Sequence, residues 1–206
     1  MLRGLRLSRA RSFLFGVNHM GQQTIPVDFD VLARHYPHRT EKTGQYGGKL
    51  ANADLRLVMD RNPGTPCCVQ ISHSLNMAGL RIPQLSQGNR RPNDGQKING
   101  TTYYYVLAVD EMETYLTNTY GPGELVRSDA DKTLQRTASQ VKTFLKGRKG
   151  ILVMREGWAG VHTELWDGSA FLQKDMATDH LLTRPRVLFW ECTLAPPKWL
   201  SDYMGY

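Results

Sequence analysis

The stretch Asn62 to Gly79, NPGTPCCVQISHSLNMAG, constrains the fold more than any other part of the chain. Thr65 can cap a helix, and Pro66 suits the first helical position, where its missing N–H costs nothing. Cys68, Ile71, Leu75 and Ala78 then recur on one helical face, and Gly79 is a natural stop. The segment therefore reads as a helix with one face in a core and two adjacent cysteines in its first turn. Exposed N–H groups and the helix dipole at that end lower a thiol pKa and can hold an oxyanion. The two cysteines differ by about 100° around the helix. Cys68 lies in the apolar stripe, whereas Cys67 sits off its centre and nearer the cap. Cys67 is thus the expected nucleophile and Cys68 the packing residue, against the plainer reading that both are inert core thiols.

The third cysteine is Cys192. An odd count with two neighbours makes no disulfide framework, and the spacing makes no CxxC metal pattern. The net charge of +7 favours anionic surfaces. The chain has no zinc finger, RNP-like aromatic motif or long basic block, so nucleic-acid binding has only a weak electrostatic warrant. No apolar run approaches the ~20 residues that span a membrane. The first twenty residues carry four arginines and no acid. Residues 1–26 read as a basic, disordered arm, and 27–206 as one catalytic domain.

Along that domain, Val27 to Pro37 predicts a short helix with Phe29, Leu32 and Ala33 on one face. A polar, glycine-containing loop follows, and LRLVM reads as a short strand or turn. The stretch from Arg81 to Thr101 reads as a long surface loop. TTYYYVLAV (Thr101 to Val109) predicts a strand, and DEMETYL a helix with Asp110 and Glu113 as a capping pair. Leu134, Ala138, Val141 and Leu145 share a further helical face. GILVMREG and RVLFWECT predict strands, with VHTELWDGSAFL as a hairpin turning at Asp167-Gly168. Helices come mainly first and strands mainly later, which predicts an α+β domain with an antiparallel sheet.

A thiol nucleophile needs a base. His19 lies in the arm, His35 and His38 beside a proline-ended helix, and His180 in a polar loop. His73 is on the cysteine helix, over one and a half turns from Cys67, and points away from it. His162 begins a strand and shares one face with Glu164 and Trp166. A histidine on a sheet packed against a cysteine helix is the papain-like arrangement. A third group should orient its ring. A two-residue turn at Asp167-Gly168 sets Gln173 opposite His162, and a slightly longer loop sets Asp175 there. Asp167 lies in the turn itself, and Asp179 is remoter.

Three stretches, TPCCVQISHSLNMAGLRIP, GRKGILVMREGWAGVHTELWDGS and RVLFWEC, together resemble the fourth family of type VI secretion amidase effectors. That family shows Asn-x-Cys-Ala opening a helix with Met-Ser and Leu-Asn. It then shows Lys-Lys-Gly-Ile-Ile, Gly-Trp, and Gly-His before Leu-Trp-Asp/Asn-Gly. The resemblance runs from about Phe29 to Cys192 and includes FDVLARHYP, similar to the family's Phe-x-x-Leu-Trp-x-x-Tyr-Pro. It departs at Cys68 (alanine in the family), at Gln70 (often arginine) and at Val161 (glycine).

The resemblance implies a papain-like, NlpC-like cysteine peptidase fold, with the nucleophile helix packed on the sheet. Carried over residue by residue, the nucleophile falls on Cys67, the base on His162 and the acid on Asp175, or on Gln173 if the loop carries no insertion. It implies an antibacterial peptidoglycan amidase, without metal or organic cofactor, that cuts the γ-D-glutamyl–meso-diaminopimelate bond of the stem peptide. It also implies delivery by the type VI apparatus, action in the target periplasm and a cognate immunity protein. Two alternatives are a transglutaminase-like cysteine acyltransferase on the same residues, and a catalytically inactive wall-binding module.

Overall fold

The computed structural model describes residues 24–39, 55–58, 64–84, 95–173 and 178–193. The arm up to residue 23, most of the polar loop after Arg39, and Asp175 lie outside the described residues. The elements in chain order are β1 (Thr24–Ile25), α1 (Phe29–Arg34), α2 (Pro66–Met77), β2 (Gln96–Ile98), β3 (Thr101–Tyr103), α3 (Val109–Tyr120) and β4 (Glu124–Ser128). A 3-10 turn (Lys132–Leu134), α4 (Ala138–Phe144), β5 (Gly150–Glu156), β6 (Ala159–Trp166), α5 (Thr178–Leu182) and β7 (Arg186–Cys192) follow.

The main sheet runs β1-β7-β5-β6, with β4 also paired to β7. All its pairs are antiparallel except β1 with β7, so the sheet is mixed rather than purely antiparallel. Thr24 and Ile25, at the end of the basic arm, pair with Glu191 and Cys192, and Ile25 is fully buried. The domain's sheet thus reaches back past the expected boundary at residue 26.

Both faces of the sheet are covered, which explains the unbroken apolar runs of β5 and β7. Ile151, Val153, Leu188 and Trp190 face the core built with α1, α2 and α3. Leu152, Met154, Val187 and Phe189 face a second core with Val141 and Leu145 beside α4, and Leu181 and Leu182 of α5. Thr137 and Gln140 cap α4 reciprocally, a capping box. Gly150 has no room for a side chain: a Cβ there would stand 2.1 Å from the Trp190 carbonyl oxygen.

Several local expectations differ from the structure, among them the Asp110–Glu113 capping pair: α3 starts at Val109, its N-cap is Ala108, and no side chain caps it. Residues 55–58, read as a short strand or turn, form a helical turn. The expected loop before Thr101 contains β2, which pairs with β3 across Asn99-Gly100. Both of these residues have positive φ, 48° and 81°, the pairing that a tight hairpin turn demands. The strand read over Thr101 to Val109 stops at Tyr103. Beyond it the backbone is bonded instead to side chains of α2 and to the backbone of Thr65 just before it. Asn76 Nδ2 donates to the Tyr104 carbonyl, the Val106 N–H donates to Ser72 Oγ, and the Thr65 N–H donates to the Leu107 carbonyl. With those groups satisfied, the segment needs no ladder partner.

Candidate active site

Cys67 stands in the first turn of α2, directly after Pro66. Thr65 holds the cap position, but its hydroxyl makes no capping bond to the helix backbone. It lies 3.0 Å from Cys68 Sγ, to which it donates, and 3.3 Å from the Leu107 carbonyl. No acidic residue occupies the first turn of α2, so nothing there neutralises the positive end of the dipole. Ile71 and Leu75 are fully buried and seat the helix in the core, where α2 packs against β6.

β6 pairs with β5 on one side, Met154 opposite His162 and Val153 opposite Thr163. Its other edge meets the start of α2. There the Thr163 backbone and the His162 imidazole lie close enough to the Cys67 thiol to lower its pKa. Cys67 and His162 are each 5% exposed, so the pair is buried.

This setting separates the two cysteines. The Cys67 thiol is held well below the ordinary range, first by the hydrogen bond from Cys68, and against the effect of burial also by His162 and the Thr163 N–H. The Cys68 thiol is fully buried and pushed up by burial and by its neighbour. Burial pulls the His162 pKa down, but Cys67 and then Glu164 outweigh it and raise the imidazole to about 9. Together these shifts favour a thiolate–imidazolium pair.

Behind the imidazole lies a buried polar cluster. Glu164 is fully buried, with Oε2 3.4 Å from His162 Nε2 and Oε1 accepting the Leu165 N–H at 2.9 Å. The Tyr36 hydroxyl also interacts with Glu164. Gln173, one of the two expected third members, is buried too. Its Oε1 accepts the Arg39 N–H at 3.0 Å and Gln70 Nε2 at 3.2 Å. Gln70 Nε2 is also 2.9 Å from the Pro37 carbonyl.

The expected two-residue turn at Asp167-Gly168 is not what forms. Trp166 bridges to Phe171, and Asp167 Oδ1 accepts the Ser169 and Ala170 N–H groups, so residues 167–170 make a longer loop. The turn carboxylate is thus spent on its own loop.

Of the other histidines, His73 points to Tyr105, with Nδ1 3.2 Å from its hydroxyl, and burial lowers its pKa to about 4. His180 lies on α5 beside Arg184. Glu164 and Tyr36 were not read from the sequence as site residues. A signal for Glu164 existed, since it shares the strand face of His162 amid apolar neighbours. Tyr36 was marked only by the resemblance, as the tyrosine of FDVLARHYP.

The family model for the type VI secretion system amidase effector protein 4, Tae4, matches residues 64–190, well over half of the chain. No curated protein matches the chain significantly. Among solved structures, the Tae4/Tai4 effector–immunity system from Salmonella typhimurium is similar at 22% identity. It has a TM-score of 0.51 and covers 82% of this chain and 100% of that one. Tae4 from Enterobacter cloacae is similar at 18% identity with a TM-score of 0.52, covering 84% of this chain and 99% of that one. At these identities the likeness bears on the fold, and it agrees with the papain-like α+β architecture.

Proposed function

The chain belongs to the Tae4 family of type VI secretion amidase effectors, and from that premise we propose that it cuts the γ-D-glutamyl–meso-diaminopimelate bond of peptidoglycan stems by cysteine catalysis. The observation that carries this reading is the Cys67 thiol, at a helix start and beside a buried histidine that lowers its pKa. In this mechanism the Cys67 thiolate attacks the amide carbonyl, its proton having passed to His162. The developing oxyanion is held at the start of α2. Pro66 has no N–H, and the Cys68 and Val69 N–H groups already donate to the Thr65 carbonyl. That leaves the Cys67 N–H as the helix-start donor. His162 returns the proton to the leaving amine, a thioester remains on Cys67, and water hydrolyses it.

The third member of the triad is proposed as Asp175. Its support is the family resemblance and the longer loop over residues 167–170, the condition under which Asp175 rather than Gln173 was expected opposite His162. The catalytic unit is residues 27–206 with the β1 strand joined to it. The proposed partners are the stem peptides, the type VI apparatus, and an immunity protein that protects the producer, since a relative is described as part of an effector–immunity system. The site of action is the periplasm of the target cell.

The test is mass analysis of a disaccharide tetrapeptide incubated with the protein, with and without a primary amine acceptor. Release of the diaminopimelate-containing fragment with a free γ-carboxyl on D-Glu supports hydrolysis. An amide formed with the added amine moves the assignment to acyl transfer, and an intact substrate to wall binding.

A further inference from the structure

Glu164 is a carboxyl group with no exposure on a strand that faces the nucleophile. A side chain of that kind is costly to bury unless its oxygens are matched. One oxygen, Oε1, accepts the Leu165 N–H. The other, Oε2, faces His162 Nε2 at 3.4 Å and has no hydrogen-bond partner among the described residues. Among the described residues Nε2 has no hydrogen-bond acceptor, and Glu164 Oε2 is the oxygen that faces it. Gln173 cannot readily supply one, because its single acceptor oxygen already takes two donors, from Arg39 and Gln70. The 3.4 Å approach is an ion-pair distance without the alignment of a hydrogen bond. Such contacts tighten when the ring carries the proton.

We propose that Glu164 is a positioning residue for catalysis: its buried carboxylate holds His162 from the histidine's own strand, two residues on, with the Leu165 N–H holding its other oxygen. This deepens the cysteine-amidase reading and rests on it for the reaction, but the contact exists apart from the loop that carries Asp175. Glu164 holds the ring so that one nitrogen faces Cys67, and it balances the imidazolium formed when the thiol gives up its proton. Among the described residues, the titratable and charged groups facing this pair are Cys67 and, behind it, Cys68 from α2, and Tyr36 and Arg39 from the segment after α1. The charge of Glu111 on α3 reaches Cys68.

The test compares wild type, Glu164→Gln and Asp175→Asn in two measurements. The first is the pH dependence of Cys67 alkylation by iodoacetate, mapped by mass so that Cys68 and Cys192 are counted separately. The anionic reagent depends on the imidazolium, so the wild-type rate should fall off near pH 9, where His162 loses its proton. In Glu164→Gln that falling limb should move down by about one pH unit or more. The second is cleavage of a stem tetrapeptide, where kcat should drop about tenfold or more with KM little changed. An unshifted limb with unchanged kcat in Glu164→Gln overturns the proposal, above all if Asp175→Asn alone is impaired.

If Glu164→Gln does not fold, wild type labelled with ¹⁵N-histidine and ¹³C-glutamate decides. A glutamate carboxyl carbon should shift at the same inflection as His162, and its absence overturns the assignment. Alkylation needs no wall substrate, so the two readings fail separately. A limb that moves with Glu164 while wild type leaves stems intact keeps the positioning role and removes the amidase. Stems cut with no movement of the limb do the reverse.

Discussion

At the scale of single residues, Cys67 and Cys68 carry the same group one position apart, and their surroundings drive them in opposite directions. Cys67 meets a hydrogen-bond donor on each side, from Cys68 and Thr163, and a cationic partner in His162. Cys68 is fully buried next to a thiolate. The Cys68 hydrogen bond is the largest influence lowering the Cys67 pKa, so Cys68→Ala should raise it. The sign then follows: cleavage by Cys68→Ala should be close to wild type at pH 8 and fall below it first on the acid side. Initial rates across pH 5 to 8 check this, and a loss equal at every pH speaks against a role for Cys68 in lowering the Cys67 pKa. The helix start at Cys67 and the strand at His162 were legible in the sequence because each can be read locally. Glu164 was visible on that same face, but its burial beside His162 depends on segments far away in the chain.

At the scale of elements, α2 holds the site through two faces. Ile71 and Leu75 enter the core, while Ser72 and Asn76 bond the extended segment that follows β3. Asn76 also accepts the Ile82 N–H, so one side chain ties down two loops. Asn76→Ala leaves a buried carbonyl and a buried N–H unmatched, which costs about 1–3 kcal/mol for each group. The variant should unfold at lower denaturant with cleavage chemistry intact at low temperature. A midpoint equal to wild type contradicts this role.

His73 on the same helix supplies a pH handle. Its folded pKa of about 4 lies below the ordinary 6.5, so the unfolded chain binds the extra proton between those values. The stability that the neutral ring contributes is present above pH 6.5 and is lost as pH falls from there through 4. Denaturant midpoints should fall across that window, and less steeply in His73→Gln. These bonds explain why the sequence reads Thr101 to Val109 as one strand while the structure ends it at Tyr103. Tyrosine and valine suit a ladder, but the side chains that replace the ladder lie on another element. The β2–β3 hairpin was within reach, since Asn99-Gly100 is a turn signature, but the polar residues around it read as loop.

At the scale of the whole molecule, the sheet is covered on both faces. The helices on one side carry the nucleophile, and those on the other complete a second core. The α+β class was legible from the order of helical and strand periodicities. The parallel β1–β7 pair was not, because a two-residue strand has no periodicity to read. This division places chemistry at one edge of the sheet, where β6 meets α2, and leaves the rest of the fold to hold that edge rigid. The family match spans both the cysteine helix and the histidine strand, so the two halves of the site fall within it.

The most direct measurement is digestion of purified Gram-negative sacculi with mass analysis of the released muropeptides, for wild type, Cys67→Ala and Cys68→Ala at pH 8. The account predicts stems cut between γ-D-Glu and diaminopimelate by wild type and Cys68→Ala, and an untouched wall with a folded Cys67→Ala. Cleavage that survives Cys67→Ala, or that disappears only in Cys68→Ala, contradicts it.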